Sequence, residues 1–465
     1  MWNFNQYADH TAVISNEGLL LSYSQLQHYG DEISKFTRER ALVFCLCTNT
    51  VGSLAGYTGF LSHKQVPLLL DAKIDEVFLK KLVDIYHPNS IFMPKTRAER
   101  DHEKFGSIVW QDLGYAMIKC SDIAVALNPN LALLLTTSGS TGAPRIVRQS
   151  YDNIESNTAS IIDYLKIDQN ERPVTVLPMH YTYGLSVINT HLASGATLLL
   201  TDNTIMQKEF WSFLVDHKAT SFSGVPYTYQ MLDRLRFERR SLPELKTLTQ
   251  AGGHLSKELQ LKFSNYAKRE GKNFVVMYGQ AEATARISYL PADMTLRKIG
   301  SIGIAIPRTE LLLEGEHGEK INSPNTEGEL ICKGEHVTLG YAECVDDLNK
   351  GDERHGVLHT GDLAYFDEDG YFYISGRKNR FLKLFGNRVS LEECEELIRS
   401  QFPLLDCACC GEDDRMLIYI TKDLKSEVRD FISKVTHINF TAFDVRCVQS
   451  LPRNASGKIL YSELK

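Results

Sequence analysis

Between residues 41 and 94 the chain alternates short, wholly apolar runs with segments of helical periodicity, and that rhythm narrows the fold first. Ala41–Cys47 reads as a buried strand, Val51–His63 as the helix after it and Val66–Asp71 as the next strand. Phe78–Tyr86 reads as a second helix and Ser90–Met93 as a third strand. Buried strands separated by helices imply parallel β-α-β units and an α/β fold. The rhythm returns in Val174–Leu177, Leu185–Leu192, Ala196–Leu200, Lys208–His217 and Ser221–Val225. Glu310–Gly340 differs: it is rich in glycine and alternates in strand fashion, which predicts antiparallel sheet. From 376 to 387 the chain turns basic and glycine-punctuated, and a helix (Leu391–Gln401), a strand (Met416–Thr421) and a helix (Ser426–Ile432) follow. The spacing predicts a large domain over 1–378 and a small α+β domain over 379–465, with the boundary at Asn379.

The chain has 465 residues, 43% of them hydrophobic, enough to bury a core without covalent staples. Its formal charge of −7 argues against broad electrostatic binding to nucleic acid or to an anionic membrane. Several of the ten cysteines sit in apolar runs such as Ala41–Cys47, which reads as buried thiols in a reducing compartment. The group Cys407, Cys409 and Cys410 is poorly spaced for tetrahedral zinc. The first basic side chain is Lys35, no targeting signal is read, and no apolar run approaches the ~18 residues of a membrane span. A cytoplasmic protein is expected.

The sharpest segment is Leu131–Val147, LALLLTTSGSTGAPRIV. An apolar strand runs into Thr136, Thr137, Ser138, Gly139, Ser140, Thr141 and Gly142, then Pro144, Arg145 and a second apolar run. Hydroxyls and successive N–H groups in such a loop can cradle phosphate oxygens, and Arg145 adds a fixed cation. Neither the Walker spacing nor the G-x-G-x-x-G of dinucleotide binders is present, which argues against a P-loop kinase or a dinucleotide oxidoreductase.

Thr137–Arg145 resembles the T-S-G-S-T-G-x-P-K signature of the adenylate-forming superfamily, which includes acyl-CoA synthetases, luciferases and peptide-synthetase adenylation domains; Arg145 replaces the lysine. Further motifs follow in the family's order. Tyr278-Gly279-Gln280-Ala281-Glu282 resembles Y-G-x-T-E, with Ala281 in place of threonine. Gly328-Glu329-Leu330 with Gly340-Tyr341 resembles the G-E-L…G-Y stretch, and Thr360-Gly361-Asp362 resembles T-G-D. Gly376-Arg377 with Lys383 and Gly386 resembles G-R-x-x-x-x-I-K-x-x-G, and Pro452–Lys458 resembles the terminal motif that carries a catalytic lysine. With weaker likeness at Leu21–Leu26 and Val66–Asp71, the resemblance spans nearly the whole chain.

The resemblance implies the two-domain architecture, with a mobile C-terminal domain pivoting near Asn379. It implies a first step that joins a carboxylate to the α-phosphate of ATP and releases pyrophosphate. At ~4 Å two unit anions repel by about 4 kcal/mol at an effective dielectric near 20, so the reaction needs cations. The implied catalytic residues are Lys458, Lys383 and Glu282, with Glu282 and Thr137 holding Mg²⁺. Thr137–Gly142 and Arg145 would hold the β- and γ-phosphates, while Gly253, Tyr278, Gly279, Asp362 and Arg377 would hold the rest of the nucleotide. A second step would pass the acyl group to a thiol, CoA or a carrier-protein phosphopantetheine, with Lys383 and Gly386 lining the thiol's path. A non-catalytic nucleotide-binding scaffold is the competing reading, which the substitutions at Arg145, Ala281 and Asn379 leave room for.

For the acid, the resemblance places Tyr181, Tyr183, Ser223, Gly224, Gly252, Gly253, His254, Gly279 and Arg286 at the acyl pocket. Pro178–Gly184 lacks the aspartate that binds an α-ammonium in amino-acid-activating relatives, which argues against a standard α-amino acid. Arg286 stands where relatives often have a small residue; it reads either as the partner of a second anionic or hydrogen-bonding group on the substrate, or as the partner of a protein carboxylate.

Overall fold

The computed structural model describes residues 2–136, 146–378, 380–385, 387–436, 438–454 and 457–464. They divide into two compact units: 2–136, 146–310 and 333–358 in the first, 311–332 and 359–464 in the second.

The first unit contains two large sheets. One runs through Gly340–Ala342, Ile146–Ser150, Leu131–Thr136, Val66–Asp71, Leu42–Cys47, Ser90–Pro94, Tyr115–Lys119 and Ser107–Asp112. Its middle is parallel, as the alternation requires, and its flanks are antiparallel. The other runs through Ile304–Ala305, Ser288–Leu290, Asn273–Tyr278, Thr247–Gln250, Ser221–Gly224, Pro173–Val174, Leu198–Leu200, Thr11–Ser15 and Leu20–Ser22. It too is parallel in the middle and antiparallel at both edges.

Helix Val51–Ser62 is buried from Val51 to Leu61, on every side. A helix apolar all round belongs inside a protein rather than on its surface. Its Leu54 and Phe60 share one core with Val43 and Leu69 of the first sheet and Val13 and Leu198 of the second. Each such side chain contributes about 1.5–3 kcal/mol by leaving water.

The second unit holds a sheet ordered Lys320–Ile321, Glu310–Glu314, Gly328–Lys333, Val357–Phe366, Phe372–Arg377, with antiparallel pairs at both ends. The antiparallel character read from Glu310–Gly340 is thus present, with one correction. Gly340–Ala342 leaves that sheet and pairs with Ile146–Ser150 of the first unit's parallel sheet.

Beyond it, helix Leu391–Gln401 starts where Ser390 accepts the Glu393 N–H at 3.2 Å, a side-chain cap. It packs Cys394 and Ile398 against Cys407, Cys409, Met416 and Ile418. Cys407 and Cys410 have C-x-x-C spacing and lie on one strand, Cys407–Glu412. Alternation sends Cys407 into this core and Cys410 to the opposite face beside Tyr419 and Leu451, so the two thiols cannot close on one ion or on each other. Burial pushes the Cys407 thiol up to about 12, which keeps it protonated. Among the described residues, no helix is long and apolar enough to cross a membrane.

Candidate active site

In the first unit, candidate residues gather on the loop after strand Asn273–Tyr278. One 3₁₀ turn, Ala281–Ala283, leads to Thr284 at φ 64°, ψ −50°, where the Ala285 N–H donates to the Ala283 carbonyl at 2.6 Å. This is a γ-turn of the rare positive-φ kind, costly for a β-branched residue. Neighbours hold it: the Thr284 hydroxyl donates to the His336 carbonyl at 2.7 Å, and the Thr182 hydroxyl donates to the Thr284 carbonyl. The chain reverses there, and the Ile287 N–H closes the loop on the Tyr278 carbonyl at 2.9 Å. Gly279 is required by this closure, since a Cβ would sit 1.9 Å from the Ala285 carbonyl oxygen.

Glu282 is fixed by residues far along the chain. Its Oε1 accepts from the Tyr341 hydroxyl at 2.7 Å, and its carbonyl accepts from Thr338 N at 3.0 Å and Arg354 Nη1 at 3.1 Å. The Arg354 guanidinium also lies over the Tyr341 ring, 4.6 Å from its centroid. Burial, then the Glu282 charge, pushes Tyr341 up to about 12, so it stays a donor. Among the described residues no donor reaches Oε2 of Glu282. One oriented carboxylate oxygen left open suits Mg²⁺, which takes few protein ligands and leaves the others to water and phosphate. The residues present therefore fit that ion. Sequence reasoning missed Tyr341 and Arg354 as supports; Tyr341 lay inside a motif already noted, but nothing local to it announces Glu282 as its partner.

The acyl-pocket candidates gather around helix Thr182–Ala193. Tyr183 is buried, with its hydroxyl 2.8 Å from that of Thr249, which in turn lies 2.9 Å from that of Ser223. The Tyr181 hydroxyl rests against Gly252, where φ is +84° and a Cβ would be 2.4 Å away. Burial pushes Tyr181 up to about 12. Gly224 packs on Thr228 and Tyr229, and the Gly253 carbonyl accepts from Gln250 Nε2 at 3.0 Å. Tyr183, Ser223, Thr249, His191, Met277 and Arg286 line one small cavity. His254 is exposed and does not line it. His180, beside Tyr181, has a buried Nδ1 without a hydrogen-bond partner among the described residues.

Arg286 does not pair with a protein carboxylate among the described residues, which corrects that alternative. Its guanidinium carbon lies 3.9 Å from the centroid of the Tyr183 ring, and its Nε donates to Met277 Sδ at 3.4 Å.

In the second unit, strands Val357–Phe366 and Phe372–Arg377 pair with Asp362 opposite Arg377. Arg377 Nε is 3.0 Å from Asp362 Oδ1. Glu329 props the turn before Asp362: its Oε1 accepts the Gly361 N–H at 3.2 Å, and its Oε2 takes Lys378 Nζ at 2.7 Å. Lys458 is exposed, but its main chain is anchored: its N–H donates to Asn454 Oδ1 and its carbonyl accepts from Asn454 N, both at 2.9 Å. Arg453 ties this segment to both carboxylate oxygens of Asp406, at 2.9 and 2.7 Å. Lys383 lies in strand Phe381–Leu384, and its side chain is outside the described part. Thr137, Ser138, Gly139, Ser140, Thr141, Gly142, Arg145, Asn379 and Gly386 lie outside the described residues. The strands flanking 137–145 pair antiparallel, with Thr136 opposite Ile146.

Residues 2–342 match the AMP-binding enzyme family. The chain belongs to that family. A long-chain-fatty-acid–CoA ligase of Bacillus subtilis (strain 168) is 26% identical over 419 residues, covering 84% of this chain and 72% of the relative. An oxalate–CoA ligase of Arabidopsis thaliana is 27% identical over 343 residues, covering 70% of this chain and 66% of the relative. In fold, the chain is similar to the o-succinylbenzoate CoA synthetase of Bacillus subtilis solved with its acyl-adenylate intermediate: TM-score 0.79, 20% identity, 99% of this chain and 97% of that one covered. The same enzyme, solved with ATP and a magnesium ion, gives the same TM-score of 0.79. In this AMP-binding enzyme the family match takes in Tyr278–Arg286 and Tyr341 and stops before Asp362, Arg377 and Lys458.

Proposed function

We propose that this AMP-binding enzyme joins a carboxylic acid to the α-phosphate of ATP and then passes the acyl group to the thiol of CoA. The observation that carries this reading is the loop Tyr278–Arg286. It sets an oriented carboxylate, Glu282, and the wall of a buried hydroxyl-lined cavity, Arg286, within one tight turn. The CoA ligases among the relatives, and the acyl-adenylate held by the solved neighbour, support it.

In the first step a carboxylate oxygen attacks the α-phosphorus, the bond to the bridging oxygen breaks, and pyrophosphate leaves. In the second, the thiolate attacks the acyl carbon and AMP leaves with the carboxylate oxygen. Lys458 offsets the charge of the two anions as they meet. Asp362 accepts the ribose hydroxyls, and Arg377 reaches ribose or phosphate. Gly253, Tyr278 and Gly279 frame the base, and Thr137–Gly142 with Arg145 hold the outer phosphates. Mg²⁺, when bound at Glu282 and Thr137, neutralises phosphate charge. Tyr181, Tyr183, Ser223, Gly224, Gly252 and Arg286 receive the acid. Residues 379–465 act as a lid pivoting at Asn379, which exchanges Lys458 for Lys383 between the steps. A cytoplasmic location accords with free thiols at all ten cysteines.

The test is pyrophosphate release from ATP and Mg²⁺ over a panel of acids, with and without CoA. Acid-dependent release that CoA accelerates is the expected result. Acid-dependent release indifferent to CoA makes a carrier-protein phosphopantetheine the acceptor. ATP binding with no release for any acid leaves the chain a nucleotide-binding scaffold.

A further inference from the structure

Arg286 is 3% exposed and stands inside the cavity that the preceding reading assigns to the acid. Its main chain is clamped on both sides by the buried Asn157: Nδ2 donates to the Arg286 carbonyl at 2.9 Å, and Oδ1 accepts its N–H at 3.3 Å. Among the described residues the guanidinium meets the Tyr183 ring face at 3.9 Å, the Met277 thioether at 3.4 Å and the Tyr164 hydroxyl. None of the three is an anion. Met277 Sδ is already approached by the Tyr164 hydroxyl at 3.0 Å. The one acid on the cavity wall, Glu171, accepts from the Thr220 hydroxyl and makes no ion pair with Arg286.

A guanidinium cannot shed its proton to escape burial. An unpaired charge removed from water is strongly unfavourable, and a ring face offsets only part of that. The tyrosines cannot serve as counter-ions, because burial holds Tyr164, Tyr181 and Tyr183 above their ordinary value and therefore neutral. The cavity wall thus carries the permanent positive charge of Arg286 together with the linked hydroxyls of Tyr183, Ser223 and Thr249.

We infer that the acid this enzyme activates is a dicarboxylate, whose second carboxylate docks on Arg286 while the first goes to ATP. This rests on the adenylation reading above. The Arg286 fork takes two carboxylate oxygens, and the hydroxyls of Ser223 and Thr249 donate to the same group. The carboxylate that reacts keeps its own negative charge and is not held by Arg286.

The experiment compares pyrophosphate release for matched pairs of acids, each an α,ω-dicarboxylate beside the monocarboxylate of equal chain length. The proteins are wild type, Arg286→Gln and Arg286→Lys, and ATP binding by calorimetry verifies that each variant is folded. Wild type should favour the dicarboxylate. Arg286→Gln should lose on the order of 10²-fold in kcat/KM for it, the scale of a removed buried charge contact, and the ratio of dicarboxylate to monocarboxylate kcat/KM should fall with it. Arg286→Lys should restore part of the preference. A wild-type preference for monocarboxylates, or an acid preference unchanged in folded Arg286→Gln, overturns the inference and leaves adenylation standing. No release with either set overturns the adenylation reading and the inference with it.

Discussion

Arg377 Nε lies 3.0 Å from Asp362 Oδ1 across an antiparallel strand pair. Asp362 is almost wholly buried while Arg377 is mostly exposed, so the carboxylate is the fixed member and the arginine the adjustable one. Strand pairing sets where Asp362 sits, and Glu329 braces the turn that precedes it.

If Asp362 accepts the ribose hydroxyls, Asp362→Ala removes hydrogen bonds to a charged group worth about 1.5–3 kcal/mol. ATP affinity should fall by roughly 10–100-fold, with the acid's KM little changed. Nucleotide titration by calorimetry measures this, and unaltered ATP binding rejects the ribose role.

Tyr341 orients Glu282 from a distant stretch of chain, 2.7 Å away. Tyr341→Phe keeps the ring under Arg354 and removes only the hydroxyl. The Mg²⁺ concentration for half-maximal activity should rise about tenfold, the worth of one hydrogen bond to a charged acceptor. A shift confined to the acid's KM would place Glu282 elsewhere in the mechanism.

Lys458 is the cation assigned to the transition state of the first step. Its exposed side chain makes Lys458→Ala safe for folding, and adenylate formation should drop by about 10²–10³-fold. Single-turnover formation of acyl-adenylate reads this directly. A near-normal rate removes Lys458 from the chemistry.

Acid should destabilise the first unit through two buried histidines. Burial lowers His191 and His336 from the ordinary 6.5 to about 4. The unfolded chain therefore takes up protons first as pH falls, and folded stability declines from about pH 6.5 down to about pH 4, then levels. Each histidine contributes up to about 3 kcal/mol of that loss. Urea midpoints between pH 7 and 4 should fall for wild type and fall less for His191→Gln; equal slopes contradict the assignment.

Local patterns were readable in the sequence where a whole strand or one face of a helix is buried. The strand Leu42–Cys47 and the helix Leu391–Gln401 emerge within a residue of where periodicity puts them. Val174–Leu177 does not: only Pro173–Val174 enters the ladder, because strand extent depends on which neighbour is available to pair. The site was legible as residue types and order, not as contacts. Glu282 with Tyr341 and Arg286 with Tyr183 are long-range pairs, and a positive-φ turn at Thr284 carries no local signature in a threonine.

The central claim is attack by a carboxylate on the α-phosphate, and oxygen tracing tests it most directly. An acid that supports activity, labelled with ¹⁸O in its carboxylates, is turned over with ATP, Mg²⁺ and CoA. Mass spectrometry should find one labelled oxygen in each AMP and none in pyrophosphate. Label in inorganic phosphate with ADP formed, or AMP free of label, would contradict an acyl-adenylate intermediate.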